Sequence, residues 1–161
     1  PYQHSFMTHA SSVGIDPAWA YGITRQESRF NANARSGVGA GGLMQIMPAT
    51  AQMIARKIGS SGNANDPDTN IRYGTWYLSD KIRSFNGQIA PATAAYNAGT
   101  TPAGKWLPKH GTISADQYVE AIPYHETREY VKHVMENATI YGVMLGRYTP
   151  IGQRMGVVSP S

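Results

Sequence analysis

The sequence predicts an all-α domain, on three observations. Apolar residues recur at helical spacing, as in Ile15, Trp19 and Ile23, and again in Ile71, Gly74, Leu78, Ile82 and Phe85. Two aspartate-proline pairs, Asp16-Pro17 and Asp66-Pro67, stand where helices should start. In such a pair the carboxylate accepts an early backbone N–H, and the proline lacks an N–H where none is needed. Finally, no segment alternates convincingly between apolar and polar residues, and no internal repeat is visible. The expectation is one domain over 1–146, several short helices around a long central one, with an irregular tail at 147–161.

In chain order, His4 to Ser11 reads as a short helix closed by Gly14. A second helix spans about 17–29. Asn31 to Gly42 is a loop whose second half carries Gly37, Gly39, Gly41 and Gly42. After the apolar run Leu43 to Met47, Pro48 opens a helix to about Ile58, with Met53, Ile54 and Ile58 on its buried face. The long helix runs from Pro67 to about Phe85 and ends at Asn86-Gly87. Pro91 to Asn97 is a short alanine-rich helix stopped by Gly99. Thr101-Pro102 starts one more turn, to Leu107. Ser114-x-x-Gln117 fits a capping box, the reciprocal side-chain pairing that opens a helix. Pro123 breaks that helix. The last helix runs from about His125 to Leu145, with Tyr130, Val131, Val134, Ala138, Tyr141 and Leu145 inward and Gly146 as its stop.

Composition narrows the class. The 161 residues are 41% hydrophobic and only 15% charged, which describes a globular chain with a real core. No apolar run is long enough to span a bilayer. There are no cysteines, so disulfides and thiolate metal sites are excluded. The net charge of +4 favours an anionic partner. No lysine-arginine block stands out, so nucleic acid is not expected. The sequence starts at Pro1, with no initiator methionine and no signal peptide, and reads as a mature or excised piece.

The chemistry is expected at Gln26-Glu27-Ser28-Arg29-Phe30. The stripe Ile15, Trp19, Ile23 continues four residues on to Glu27, so a carboxylate occupies the face that should be buried. Burial disfavours the charged form and raises a carboxyl pKa, which suits a general acid near neutral pH. On that reading activity peaks at mildly acidic pH. The plainer alternative is a helix-end glutamate paired with Arg25 or Arg29 in solvent, and this stretch alone leaves both open.

Other motifs exclude more than they establish. Gly37 to Gly42 matches G-x-G-x-x-G in form, but a dinucleotide fingerprint follows a strand and opens a helix, and this one does neither. The preferred reading is that these glycines allow a polymer or another backbone to approach the main chain. His125-Glu126 lacks the second histidine of a zinc helix, and no metal or cofactor is expected. No G-x-S-x-G elbow supports serine chemistry at Ser28 or Ser36. Glycosidases usually employ two carboxylates. None of Asp66, Asp68, Asp80, Asp116, Glu120, Glu126 or Glu129 occupies a position matching Glu27. Asp66 is a cap, Asp80 lies beside Lys81 and Arg83, and Glu126 complements the start of a helix.

Four motifs in register then resemble a known family. Gln26 to Phe30, Gly42-Leu43-Met44-Gln45-Ile46-Met47-Pro48 and Ala95-Tyr96-Asn97-Ala98-Gly99 are similar to the lytic transglycosylases of bacterial cell walls. Ile122-Pro123-Tyr124-x-Glu126-Thr127-Arg128-x-Tyr130-Val131 narrows the resemblance to the catalytic domain of the soluble type, over roughly 15–145. The resemblance implies a lysozyme-like helical fold with a substrate groove across the end of the Glu27 helix. It implies non-hydrolytic cleavage of the β-1,4 bond between N-acetylmuramic acid and N-acetylglucosamine, leaving 1,6-anhydro ends. Glu27 matches the sole acid/base, with the substrate's acetamido group assisting.

Residue by residue, Ser36 matches a hydroxyl that can bond the acetamido group or Glu27. Gln45 and Met47 match groove-lining positions. Tyr96 matches a tyrosine near the catalytic carboxyl, accompanied by Asn97, and Glu126 matches a substrate-contacting glutamate. Tyr124 stands where relatives also carry phenylalanine, and Gly37 where some carry proline. The implied setting is a monomer in the periplasm or cell envelope of a bacterium, acting on peptidoglycan glycan strands. Full soluble members carry a ring of helices before this domain. The sequence is therefore expected to be an excised catalytic domain, with that helical part as its partner in the parent chain, or a smaller relative. A goose-type muramidase hydrolysing the same bond and an inactive peptidoglycan-binding module are the alternatives.

Overall fold

A computed structural model describes residues 2–160. Nine helices and one two-stranded sheet are found among the described residues: α1 (Gln3–Val13), α2 (Pro17–Ser28), α3 (Pro48–Ile58), α4 (Pro67–Ser84), α5 (Ile89–Ala98), α6 (Thr100–Lys105), β1 (Ile113–Ser114), α7 (Ala115–Glu120), α8 (His125–Met144), α9 (Ile151–Met155) and β2 (Val157–Val158). The all-α expectation holds. No described helix is long and apolar enough to cross a membrane. The chain divides into two compact units between Ser79 and Asp80, inside α4.

The start signals act as anticipated. The Asp16 carboxylate accepts the Ala18 N–H at 2.9 Å, and Pro17 takes the first helical position. In α7 the Ser114 hydroxyl accepts from Gln117 N while the Gln117 side chain accepts from Ser114 N, completing the capping box.

In the first unit α1 packs on α2. Phe6, Ala10, Trp19, Ile23, Leu43, Met44, Ile54 and Ile71 are buried. On α3 the buried positions are Ala51 and Ile54, whereas Met53 and Ile58 are only partly covered.

In the second unit α5 packs against α6, α7 and α8. The small side chains of Ala90, Ala92, Ala94 and Ala95 are all buried, so the neighbouring helices approach closely. On α8 the buried residues are Thr127, Tyr130, Val131, Val134, Met135, Ala138 and Gly142. Tyr141 and Leu145, expected inward, are only half-buried.

The expected irregular tail is corrected. Residues 151–155 form α9, and Val157–Val158 pair antiparallel with Ile113–Ser114. The Ser159 N–H donates to the Gln88 side chain at 2.6 Å. A Cβ at Gly142 would lie 2.8 Å from Nη2 of Arg154, so the glycine leaves room for α9 on α8. A two-residue strand has too little length for alternation to show, which is why it escaped the sequence pattern.

Candidate active site

The apolar stripe of α2 is buried as its period requires: Ile15 is 8% exposed, Trp19 1% and Ile23 0%. Glu27, next in that stripe, is half-buried in the last turn of the helix. The chain then turns sharply, because Arg29 (φ 53°) and Phe30 (φ 64°) both take the left-handed conformation. Non-glycine residues adopt it only when their surroundings over-determine it. Here an aromatic cluster holds it. Phe6 stacks on Tyr21 with ring centres 4.4 Å apart, and Phe30 sits 5.7 Å from Tyr21 and edge-on to Phe6 at 6.2 Å.

Other carboxylates of this unit have structural tasks. Asp16 caps α2. Asp66 accepts from Thr69 N and Thr69 Oγ1, both at 3.2 Å. Asp68 accepts from Ser5 at 2.5 Å and meets His9 Nε2 at 2.9 Å. These contacts, led by the Ser5 hydroxyl, hold the Asp68 carboxyl below the ordinary aspartate range.

The loop after α2 is braced from beneath. Ser28 Oγ donates to the Leu43 carbonyl at 2.7 Å. Asn70, 1% exposed in α4, accepts from Met44 N at 2.8 Å and donates to the carbonyls of Gly41 (2.9 Å) and Ala64 (3.0 Å). A buried amide satisfied on both ends is a strong fixing point, since losing it strands several backbone groups. Two glycines make the brace possible. Gly42 has φ 81°, and a Cβ there would meet Asn70 Nδ2 at 2.4 Å. Gly74 lets Met44 lie flat on α4, for a Cβ there would come within 2.3 Å of its Sδ. Neither Asn70 nor Ser28 was singled out from the sequence as a brace. The available signal was an amide at position 70 beside the apolar stripe of a long helix.

Close approach at the glycines is thus partly internal. Gly41 and Gly42 are covered by the protein's own Arg35 and Asn70, while Gly37 and Gly39 face open space.

Ser36 is exposed. Its Oγ accepts from Ala40 N at 3.0 Å and Val38 N at 3.3 Å, which leaves its O–H to donate outward. Gln45, with φ 53°, turns its amide nitrogen onto the carbonyls of Gly42 (2.8 Å) and Ala34 (3.1 Å). Its Oε1 remains an acceptor. Met47 precedes α3 and is 39% exposed.

In the second unit Tyr96 is half-buried near the end of α5. Asn97 Oδ1 accepts from Thr127 Oγ1 at 2.7 Å, which ties the end of α5 to the start of α8. The Asn97 NH2 group stays available as a donor. Glu126, next to Thr127, is exposed in the first turn of α8. Arg128 donates to the Ile122 carbonyl at 2.8 Å and fixes the Pro123 corner. Tyr124 stands edge-on to Trp106 at 5.2 Å. Among the described residues no group of three His, Cys, Asp or Glu could hold a metal ion.

Comparison with known proteins gives this arrangement a family. The model of the Transglycosylase SLT domain matches residues 5–119, and that of the soluble lytic transglycosylase helical domain matches 121–150. The soluble lytic murein transglycosylase of Escherichia coli is 40% identical over 151 residues, covering 90% of this chain and 23% of that protein. An inactive glutamate-to-glutamine mutant of the lytic transglycosylase Slt from Pseudomonas aeruginosa superposes with a TM-score of 0.91 at 41% identity, over 99% of this chain and 27% of that one. The 70 kDa soluble lytic transglycosylase of Escherichia coli gives 0.87 at 37%, over 94% and 25%. The fold is the lysozyme-like helical fold, and the chain spans about a quarter of the length of these relatives. With its Glu-Ser turn, braced glycine loop and Tyr-Asn helix end all inside regions matched by those models, the chain belongs to the SLT transglycosylase domain family.

Proposed function

We propose that this domain is a peptidoglycan lytic transglycosylase and that Glu27 is its acid/base. One observation carries the reading. Glu27 is a half-buried carboxyl at a fixed helix end, while Asp16, Asp66 and Asp68 of the same unit serve caps and the Ser5–His9 cluster. The Pseudomonas aeruginosa relative is inactive with one glutamate changed to glutamine, which supports an essential carboxyl.

The mechanism needs no second carboxylate. Glu27 protonates the glycosidic oxygen, and the bond from C1 of N-acetylmuramic acid to the departing N-acetylglucosamine breaks. The acetamido carbonyl of the same muramic acid stabilises the cation at C1, in the manner of substrate-assisted glycosidases. Glu27, now a carboxylate, takes the proton from the C6 hydroxyl, and O6 bonds to C1. The product carries a 1,6-anhydro ring and no added water. A positioned acid/base of this kind contributes on the order of 10²–10⁴-fold in rate.

The remaining site residues bind. The Ser36 O–H donates to the acetamido oxygen, because its lone pairs are engaged by Ala40 and Val38. Gln45 Oε1 accepts from a sugar hydroxyl or amide, and Met47 offers an apolar contact. Tyr96, the Asn97 NH2 and Glu126 are the second unit's contacts to the strand. The setting is the bacterial cell envelope, where the polymer lies.

The test is digestion of purified sacculi followed by mass analysis of the muropeptides. Anhydro ends are expected. Ends that carry one water instead assign the chain to the goose-type hydrolases. Binding without cleavage makes it a peptidoglycan-binding module.

A further inference from the structure

The amide of Asn97 can face two ways. Its oxygen and its NH2 group have nearly the same shape, so packing alone does not choose which of them meets a ligand. Asn97 is half-buried one residue before the end of α5, and Thr127 stands at the third position of α8. The two helices pack on each other, and Thr127 Oγ1 donates to Asn97 Oδ1 at 2.7 Å.

Burial gives that bond a direction. Thr127 is 2% exposed, and among the described residues its hydroxyl has no other partner. With the amide reversed, the NH2 group would donate to Oγ1, and the Thr127 O–H would be left buried without an acceptor. Stranding a buried donor costs far more than exchanging one hydrogen bond for another. The helix adds to the preference. Thr127 lies in the first turn of α8, whose unpaired N–H groups and partial positive charge favour an oxygen over an NH2 group. That turn is itself held: Arg128 Nη1 donates to the Ile122 carbonyl at 2.8 Å, and Arg128 Nη2 lies 3.1 Å from His125 Nδ1. The hydroxyl therefore has a fixed support.

We propose that Thr127 is a positioning residue: its buried hydroxyl locks the Asn97 amide with the NH2 group outward, so that Asn97 recognises only acceptor oxygens of the bound glycan. An acetamido carbonyl and a hydroxyl oxygen are acceptors of that class. The inference rests on the transglycosylase reading above, in which Asn97 contacts the strand, and it gives a role to a residue that touches no substrate. An amide free to turn would offer its oxygen as readily as its nitrogen, and each binding event would have to select the right face. Thr127 makes that selection before the strand arrives, which is how pre-organisation raises affinity.

The experiment measures kcat and KM on purified glycan strands. Thr127→Val keeps the shape of the side chain and removes the donor; it should raise KM roughly fivefold and leave kcat within about twofold of wild type. Thr127→Ser returns the hydroxyl and should restore KM. Asn97→Ala should raise KM at least as far, and adding Thr127→Val to it should cost nothing more, because the hydroxyl then has no amide to hold. A Thr127→Ser variant as weak as Thr127→Val, a kcat loss in place of the KM rise, or additive losses in the pair overturn the inference. Asn97→Asp answers the question if Thr127→Val does not fold. It keeps an acceptor for Thr127 but has no NH2 group, so its KM should match that of Asn97→Ala, and a wild-type KM overturns the inference. Calorimetric binding of a soluble N-acetylglucosamine oligomer needs no turnover. Weaker binding in Thr127→Val, regained in Thr127→Ser, supports the role; the same affinity in all three proteins, or none, overturns it. If wild type cleaves no strand yet the oligomer shows that pattern, the transglycosylase reading fails and the role of Thr127 stands.

Discussion

Glu27 and Glu126 are both glutamates at helix ends, and their surroundings differ in every respect that matters for proton transfer. Glu27 lies in the last turn of α2, half-buried, where the helix carries its partial negative charge. The chain around it is fixed by two left-handed residues, three aromatic rings and the Ser28–Leu43 bond. Glu126 lies in the first turn of α8, exposed, where the helix end is complementary to a carboxylate. On the proposed reading Glu27 moves the proton and Glu126 only contacts the strand. The lesson is that residue type decides little here. Burial and helix direction separate these two glutamates.

Four measurements break or sharpen that contrast. The largest effect belongs to Glu27→Gln, which should lower kcat by about 10²–10⁴-fold while glycan binding persists. Unchanged release of anhydro muropeptides would remove Glu27 from the mechanism. Next is the frame under the Glu27 side. Asn70→Ala strands the buried Met44 N–H and two carbonyls, and should destabilise by about 3 kcal/mol, roughly 6–12 °C in Tm by calorimetry. A shift under a degree or two would show that the brace is not structural. Glu126→Gln comes third, with a loss of about tenfold in kcat/KM, carried by KM. A kcat loss as large as that of Glu27→Gln would erase the contrast.

The smallest effect concerns Asp68. Its folded-state pKa is depressed, chiefly by the Ser5 hydroxyl and also by His9. The stability it adds is fully present above the unfolded value and is lost as pH falls through the lower folded value. Its side chain is 66% exposed, so after solvent screening this is about 0.5 kcal/mol or less. Acid titrations of Tm should show wild type and Asp68→Asn converging below about pH 4. Parallel curves down to low pH would mean that the cluster contributes nothing.

How much of this was legible in advance follows from range along the chain. The Asp16 cap, the Ser114–Gln117 box and the stripe leading to Glu27 involve residues a few positions apart. Sequence alone therefore placed eight helices within a few residues and singled out Glu27. The second-unit contacts around Asn97 became visible only when Thr127 was brought to it from 30 residues away.

What tertiary structure decided is what depends on distant partners. The glycine loop read as open to a polymer or another backbone, yet Asn70 closes on Met44 across 26 residues, and Arg35 and Asn70 fill the space beside Gly41 and Gly42. The tail read as irregular, yet β2 pairs with β1, and Ser159 meets Gln88 across 71 residues. Short segments have too few residues for a period to emerge, and a glycine's missing side chain does not say which neighbour will occupy the space. Local capping and periodicity fixed where the helices lie. Only the packed chain determined which backbone groups found partners, and so how firmly each helix end is held.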